Sequence, residues 1–182
     1  MTAVKLSDMM KKRQLLSFEL FPPKTDRGMA NLSETIQQLC RYKPEYISVT
    51  YGAGGGNVGA NRQVCRMVRN AGTVPVTHFT VIRNTKQGIR EQLETYLKEG
   101  VDHILALRGD FPRGETSTGG DFNYATDLVK FIRDEFGEQF EIAVAGSPEG
   151  HISCRSLEAD IGVLKMKQDN GADYIMTQLC WD

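Results

Sequence analysis

The stretch that decides the fold is 74–107, which reads VPVTHFTVIRNTKQGIREQLETYLKEGVDHILAL. Its opening part, 74–82, is rich in β-branched and aromatic residues and predicts a strand. In 87–99 the apolar residues recur at spacings of three and four, which predicts an amphipathic helix. Gly100 follows as a helix stop, and 101–107 predicts a second strand. The stretch therefore predicts a strand–helix–strand unit of a parallel sheet.

The same alternation recurs along the chain. Six β-like runs start 30, 29, 27, 39 and 32 residues apart. These runs are Leu15–Phe21, Glu45–Tyr51, Val74–Ile82, Val101–Leu107, Phe140–Gly146 and Ala172–Gln178. Helical periodicity also marks 29–41 and 125–136. A repeat of about 30 residues with this alternation predicts consecutive βαβ units.

Two α/β architectures fit six strands. An open doubly wound sheet would be complete with six, whereas a (β/α)₈ barrel needs eight units and about 250 residues. The chain stops at Asp182, directly after the last β-like run, where a missing helix would leave an apolar face and an open edge. We expect a (β/α)₈ TIM barrel truncated to about six βα units. Residues 1–182 would form one barrel domain without its C-terminal part, less stable than a longer chain.

Composition narrows the classes of partner. Lys and Arg number 22 against 23 Asp and Glu, a net charge of -1, whereas nucleic-acid binders usually carry a basic excess. No window of roughly 18 residues is apolar throughout, and residues 1–14 lack a signal-peptide core. We therefore expect no nucleic acid, no membrane span and a cytoplasmic location. The four cysteines and three histidines show no metal-ligand spacing, so no metal site is expected.

Polar residues gather where the predicted strands end, which is where α/β sheets bind ligands. They are Glu19, Thr50, Tyr51, His78, Arg108, Asp110, Ser147, Glu149, His151 and Gln178. The usual Gly-x-Gly-x-x-Gly turn is missing after the first strand, where the sequence reads FPPKT at 21–25. The Gly-rich stretch 52–59 is either a flexible loop or a place where backbone approaches a ligand.

Glu19 is the sharpest single signal. It lies between Phe18 and Leu20 in what reads as a central strand. Burying an unpaired carboxylate is costly, so such a group either forms an ion pair inside the barrel or holds a proton. The second possibility would suit a general acid. From these residues alone, both interpretations stay open.

Other polar residues also allow two interpretations. Arg108 and Asp110 could pair with each other across a turn, or Arg108 could bind phosphate while Gly109 lets a cofactor approach. His78 follows apolar residues and suits either a satisfied core histidine or a ligand contact. On the last predicted helix, Asp160 and Lys167 are two turns apart and could face one long ligand.

Several motifs in the right order resemble the methylenetetrahydrofolate reductase family. They are SFELFPPKT at 17–25, KPEYISVTYGAGG at 43–55, THFT at 77–80, ALRGD at 106–110, YATDLV at 124–129, and the stretch from SPEGH to TQ at 147–178. The resemblance covers nearly the whole chain. It implies a (β/α)₈ barrel that holds FAD without the Gly-rich fingerprint.

The resemblance also implies a reaction. NADH or NADPH would give hydride to FAD, and hydride would then pass to 5,10-methylenetetrahydrofolate, giving 5-methyltetrahydrofolate. Glu19 matches the family's acid, which protonates the departing folate nitrogen. Asp110 matches the aspartate near flavin and folate, and Gln178 matches the glutamine that binds the pterin. The small-molecule folate would be the substrate, and the protein is expected to form a homo-oligomer.

The same carry-over gives a set of FAD contacts. They are Thr50, Tyr51, His78, Arg108, Gly109, Asp110, Tyr124, Ala125, His151, Asp160 and Lys167. Two positions depart from the family pattern: Ser147 stands where an aromatic residue is common, and Val163 where an amide is common. Both departures would lie near the flavin and bear on its affinity.

Two other functions remain open at this stage. The chain could be a non-catalytic flavin- or folate-binding partial barrel that needs a partner chain for activity. It could also be an aldolase-type lyase that uses Lys165 or Lys167 as a Schiff-base amine. Neither lysine stands at a predicted strand end, which disfavours the lyase.

Overall fold

The computed structural model describes residues 5–51, 58–111 and 114–180. The strands are β1 (Ser17–Leu20), β2 (Tyr46–Val49), β3 (Val74–Thr80), β4 (His103–Leu107), β5 (Glu141–Gly146) and β6 (Tyr174–Thr177). The helices are α1 (Leu6–Met10), α2 (Asp26–Cys40), α3 (Val58–Asn70), α4 (Lys86–Lys98), α5 (Ala125–Phe136) and α6 (Leu157–Asp169). A 3₁₀ turn, Gly137–Gln139, follows α5. Most of the Gly-rich stretch, 52–57, lies outside the described residues.

The six strands are parallel and pair in chain order, from β1 to β6. A doubly wound sheet reverses its strand order at a switch point, and this order has no reversal, so that alternative is wrong. Within the described residues β1 pairs only with β2, and β6 only with β5. The chain therefore forms an open six-stranded half-barrel, as a truncated barrel would.

The main core lies between the sheet and its helices. Alternate strand residues such as Ile47, Phe79 and Ile104 point to this side and are fully buried. The helices supply the opposite half of the core, for example Leu93 and Leu128, also fully buried. Burial of each such side chain stabilises the fold by about 1.5–3 kcal/mol, which makes this layer the main source of stability.

The helix side of the sheet is less well covered at its β6 edge than elsewhere. At β6 and α6, apolar side chains are exposed: Ile161 by 56%, Met166 by 53% and Ile175 by 48%. These exposed side chains lie at the edge of the sheet where the sequence predicts an apolar face.

Helix α1 covers part of the face that points away from α2–α5, and the sequence patterns did not predict it. Its Leu6 is fully buried against Tyr46, Val76 and Leu105. The Glu141 carboxylate accepts hydrogen bonds from the backbone N–H groups of Leu6 (2.7 Å) and Ser7. Because these N–H groups lack partners within the helix, Glu141 caps α1 from a distant strand.

A buried histidine completes this cap. The His103 ring lies 3.0 Å from the Glu141 carboxylate and 2.7 Å from Asp102. Burial alone would lower the His103 pKa, but the bonds to both carboxylates outweigh it and raise the pKa to about 9. Burial also opposes the charge of Glu141, yet its bonds to His103, Ser7 and Leu6 lower its pKa to about 2. The pair is therefore ionised at neutral pH.

This pair predicts how stability varies with pH. The His103 contribution is complete below its ordinary pKa of 6.5 and is lost as pH rises through about 9. The Glu141 contribution is complete above 4.5 and is lost as pH falls through about 2. Urea unfolding should therefore show the pair's full effect between pH 4.5 and 6.5. In Glu141→Gln the loss between pH 6.5 and 9 should flatten; an unchanged slope would contradict the assignment.

Candidate active site

The carboxyl ends of the strands open into a first cavity of about 520 Å³, which we call the mouth cavity. Glu19 of β1, His78 of β3 and Gln178 after β6 line it, together with the loop that follows β5. These side chains share the face of the sheet that points away from α2–α5, because strand residues two apart point to the same side. Three separate strands thus bring predicted site residues to one opening.

A second cavity, the interhelix cavity, measures about 560 Å³ and lies where β4 and β5 meet α5 and α6. The predicted residues that line it are Arg108, Gly109, Asp110, Tyr124, Ala125, His151, Asp160 and Lys167. The two cavities share Leu107, Ala145, Gly146, Ser147 and His151 as lining residues, so they adjoin. A ligand long enough to span both would have one end at Glu19 and the other at α6.

Two predicted contacts lie elsewhere. Neither Thr50 nor Tyr51 lines either cavity. The Tyr51 ring is buried against Phe79, with ring centroids 5.6 Å apart, and its hydroxyl donates to Gln92 Oε1 at 2.7 Å. Burial raises the Tyr51 pKa to about 12, so the hydroxyl keeps its proton at neutral pH. The side chain of Tyr51 therefore faces the helix layer.

Glu19 is not buried, and the expectation that it sits in a central strand is wrong. β1 is an edge strand of the described sheet, paired only with β2. The Glu19 side chain is exposed at the mouth cavity, so no ion pair inside the fold is needed to hold it. It lies at the same carboxyl-terminal rim as the Arg108–Asp110 turn, which is the arrangement that a shared active site requires.

His78 is one of three described residues, with Thr80 and Tyr174, that have a buried side-chain polar atom without a hydrogen-bond partner. Its side chain is only 9% exposed, and Nε2 has no hydrogen-bond partner among the described residues. Burial lowers its pKa to about 4, so the ring is neutral at pH 7. A buried nitrogen without a partner costs about 1–3 kcal/mol, so the site favours a ligand that bonds to it. A satisfied core histidine does not describe this residue.

The Arg108–Asp110 turn brings backbone close to the interhelix cavity. Gly109 has φ +84°, and a Cβ there would lie 2.8 Å from Ile82 Cγ1 and 3.1 Å from Thr80 Cβ. Only glycine fits without displacing these side chains. The Arg108 guanidinium lies 4.5 Å from the centre of the Phe111 ring. Asp110 is exposed, so the turn holds both charges at the rim.

Helix α6 supplies a buried carboxylate, Asp160, and a partly buried ammonium group, Lys167. Asp160 is 6% exposed, and its Oδ2 accepts a hydrogen bond from the His151 backbone at 2.9 Å. Lys167 Nζ donates to the Ala145 carbonyl at 2.8 Å. Burial lowers the pKa of Lys167, and the nearby charge of Asp160 opposes that effect. Both line the interhelix cavity, so the prediction that they face one ligand has the geometry it needs.

The sequence reasoning missed several lining residues. Met176 lines the mouth cavity, and Thr126 and Cys154 line the interhelix cavity. Met176 could have been found, because it stands two residues before Gln178 on the same strand face. The Cys154 thiol donates to Asp160 Oδ1 at 3.4 Å, and burial raises its pKa. No local pattern in the sequence predicts that contact.

The fit to a flavin can be tested on these residues. A flexible dinucleotide needs a long cleft, a position where no side chain covers the backbone, and polar groups that have no hydrogen-bond partner within the protein. The adjoining cavities, Gly109 and the His78 Nε2 atom meet those three needs. Lys165 lies outside both cavities and pairs with Asp169, which leaves the Schiff-base alternative without support from that residue.

The sequence predicts neither a metal site nor a membrane span, and the described part of the chain can be compared with both expectations. In residues 5–51, 58–111 and 114–180, no cluster of three or more His, Cys, Asp or Glu side chains could hold a metal ion. A search of the same three ranges found no helix long and apolar enough to cross a membrane.

Comparison with known proteins supplies an independent line of reasoning. The family model described as methylenetetrahydrofolate reductase matches residues 5–182. "Methylenetetrahydrofolate reductase (NADH) 1" of Arabidopsis thaliana is 38% identical over 179 residues, which covers 91% of this chain and 30% of that protein. "5,10-methylenetetrahydrofolate reductase" of Escherichia coli K12 is 36% identical over 168 residues, covering 92% of this chain and 55% of that protein. The chain thus spans from under a third to about half of these relatives.

A solved structure supports the fold alone. The crystal structure of 2,3-dimethylmalate lyase, a member of the PEP mutase/isocitrate lyase superfamily, matches with a TM-score of 0.63 at 10% identity. The match covers 97% of this chain and 63% of the lyase. At that identity the likeness carries no information on the reaction.

Proposed function

Because the chain belongs to the methylenetetrahydrofolate reductase family, we propose that it reduces 5,10-methylenetetrahydrofolate to 5-methyltetrahydrofolate, with bound FAD and with NADH or NADPH as donor. One observation carries the proposal. Apart from Thr50 and Tyr51, the predicted site residues from Glu19 to Gln178 come from separate elements and line two adjoining cavities at one rim. A cytoplasmic location and a homo-oligomeric state stay predictions.

Bound FAD would supply the hydride carrier between nucleotide and folate. His78 would meet it with a neutral ring nitrogen that lacks a protein partner. Gly109 would let it approach the backbone, and Asp160 and Lys167 would orient its far end from the wall of the interhelix cavity. These contacts bind and orient; none of them needs to transfer a proton.

The proton transfer would take place in the mouth cavity. Opening the one-carbon bridge of the folate to a cationic iminium requires a proton on the departing nitrogen. Glu19 and Glu149 both bring a carboxyl to this opening, and Glu19, which matches the family's acid, is exposed to an incoming substrate. The Asp110 carboxylate would stabilise the iminium electrostatically, and Gln178 offers both a donor and an acceptor to the pterin edge.

In a second candidate function, the same site binds its ligand but the chain alone does not catalyse the reaction. The open sheet and the half-exposed Ile161, Met166 and Ile175 support a partial barrel that binds flavin or folate and needs a partner chain. This candidate and the reductase make different predictions for an isolated chain.

Anaerobic spectroscopy separates the two. The purified chain is loaded with FAD, mixed with NADH or NADPH without oxygen, and then given 5,10-methylenetetrahydrofolate. The reductase predicts that the flavin absorbance bleaches with one nucleotide and returns with the folate. Bound flavin that neither nucleotide reduces would favour the second candidate. A chain that binds no FAD would contradict the reductase, and one that binds neither FAD nor the folate would contradict both.

A further inference from the structure

We infer that Asn84, which lines neither cavity, is a positioning residue that holds the flavin-binding rim in place; this inference rests on the proposed function. Asn84 lies between the end of β3 and the start of α4. Its importance comes from three sets of contacts, each to a different part of the rim.

The first set joins β2 to β3 through side chains. Asn84 Nδ2 donates to the Thr80 carbonyl at 3.0 Å and the Ile82 carbonyl at 3.2 Å. Asn84 Oδ1 accepts from Gln92 Nε2 at 3.0 Å, and Gln92 Oε1 in turn accepts from the Tyr51 hydroxyl at 2.7 Å. The amide therefore uses its donor and its acceptor ends at once, and this order of bonds fixes its orientation.

The second set holds the loop between β4 and α5. The Asn84 carbonyl accepts from Asp121 N at 3.1 Å, and the neighbouring Arg83 N donates to the Thr118 carbonyl at 2.7 Å. Gly120 lies directly on Asn84, because a Cβ there would overlap the Asn84 backbone. The loop that leads to Tyr124 at the interhelix cavity thus rests on residue 84.

The third set of contacts connects the end of β3, which Asn84 holds, to the turn that lines the interhelix cavity. Thr80 and Ile82, whose carbonyls Asn84 holds, are the same residues that pack on Gly109. Val81 N between them lies 3.2 Å from the Arg108 carbonyl, to which it donates. Any shift of β3's end would therefore move the turn that lines the cavity. Asn84 acts on the ligand only through these neighbours.

The test compares FAD binding by Asn84→Ala with binding by the wild-type chain. The Kd is measured by fluorescence titration at a temperature well below the unfolding midpoint, and the absorption spectrum of the bound flavin is recorded. Loss of the amide removes the hydrogen bonds that Asn84 makes to the Thr80 and Ile82 carbonyls and to Gln92 Nε2, so the end of β3 is no longer held against α4. We expect the Kd for FAD to rise at least about tenfold and the flavin absorption bands to shift.

Arg133→Ala is the matched control. Arg133 also holds backbone carbonyls, those of Gly171 and Phe140 at 2.8 Å and of Gly137 at 2.9 Å, and it pairs with Asp173, but it does so at the amino-terminal end of the sheet. It should lower the unfolding midpoint as Asn84→Ala does, yet leave the Kd for FAD within about twofold. If both variants weaken FAD binding equally, Asn84 acts through general stability and the inference is wrong.

Gly120→Ala keeps the inference testable if Asn84→Ala fails to fold. The added methyl should separate the loop from residue 84 and weaken FAD binding, whereas Gly162→Ala, with open space around it, should not. Wild-type affinity in both Asn84→Ala and Gly120→Ala would overturn this inference alone. A wild-type chain that binds no FAD would overturn the proposed function and, with it, the role of Asn84.

Discussion

Glu19→Gln is expected to lower folate reduction by about 10²–10⁴-fold while FAD stays bound and is still reduced by the nucleotide. The glutamine amide has nearly the size of the carboxyl but has no acidic proton to give. Only the second half-reaction needs that proton, since the departing folate nitrogen must be protonated. Rapid-mixing spectroscopy of the two half-reactions, each measured alone, shows which one is lost.

Glu34→Gln is the control for this prediction. Glu34 is an exposed carboxylate on α2 that lines neither cavity, and its loss should change neither half-reaction. Turnover like that of the wild type in Glu19→Gln would remove Glu19 from the mechanism. Equal loss of both half-reactions would instead show that Glu19 supports flavin binding.

Gly109→Ala is expected to weaken FAD binding by about 10–100-fold. The new Cβ would lie 2.8 Å from Ile82, too close for either atom to stay, and φ +84° is strained for alanine. In the ligand-free chain the turn can relax outward, but binding would force it back against β3. The measurement is the Kd for FAD, with the unfolding midpoint followed alongside.

A second glycine separates the two causes. Gly114 has φ +85°, nearly the same backbone strain, but no atom lies within 4 Å of a Cβ built there. Gly114→Ala should therefore lose some stability and keep its affinity for FAD. Equal affinity losses in the two variants would contradict the close approach of ligand to Gly109 and leave backbone strain as the cause.

Much of the fold follows from local patterns in the sequence. The β-like run at 74–82 became β3 (Val74–Thr80), and the periodic segment 87–99 became α4 (Lys86–Lys98), because burial on one side fixes each period. Parallel pairing followed from helical connections between strands. The order of the strands in the sheet did not follow from these patterns. Six βα units fit either a doubly wound sheet or a barrel until it is known which strands pair.

Those local patterns could not predict contacts between residues that are distant in the sequence. α1 is too short to show a helical period, and it is held by Glu141, 135 residues from Leu6. The burial of Glu19 was predicted wrongly because apolar neighbours indicate a strand but not whether that strand lies at an edge. Asn84 reads as a turn residue, and its role depends on Gln92 and Gly120, which only the folded chain brings to it.

The candidate site was more predictable than those contacts. Parallel strands bring their carboxyl ends to one rim, so Glu19, His78 and Gln178 could be expected together before any coordinates. Tyr51 shows the limit of that rule, because it comes one residue after the inward-facing position and therefore points to the helices. The shape of the two cavities depends on α5 and α6, whose placement no strand pattern gives.

The central claim is that flavin and the Glu19 carboxyl meet at one rim of the half-barrel, and a crystal structure of the chain with FAD tests it most directly. The account predicts the isoalloxazine ring in the mouth cavity, within hydrogen-bonding reach of His78, and the remainder of FAD along Gly109, Asp160 and Lys167. FAD bound at the amino-terminal end of the sheet, or with its ring on the side away from Glu19, would contradict it.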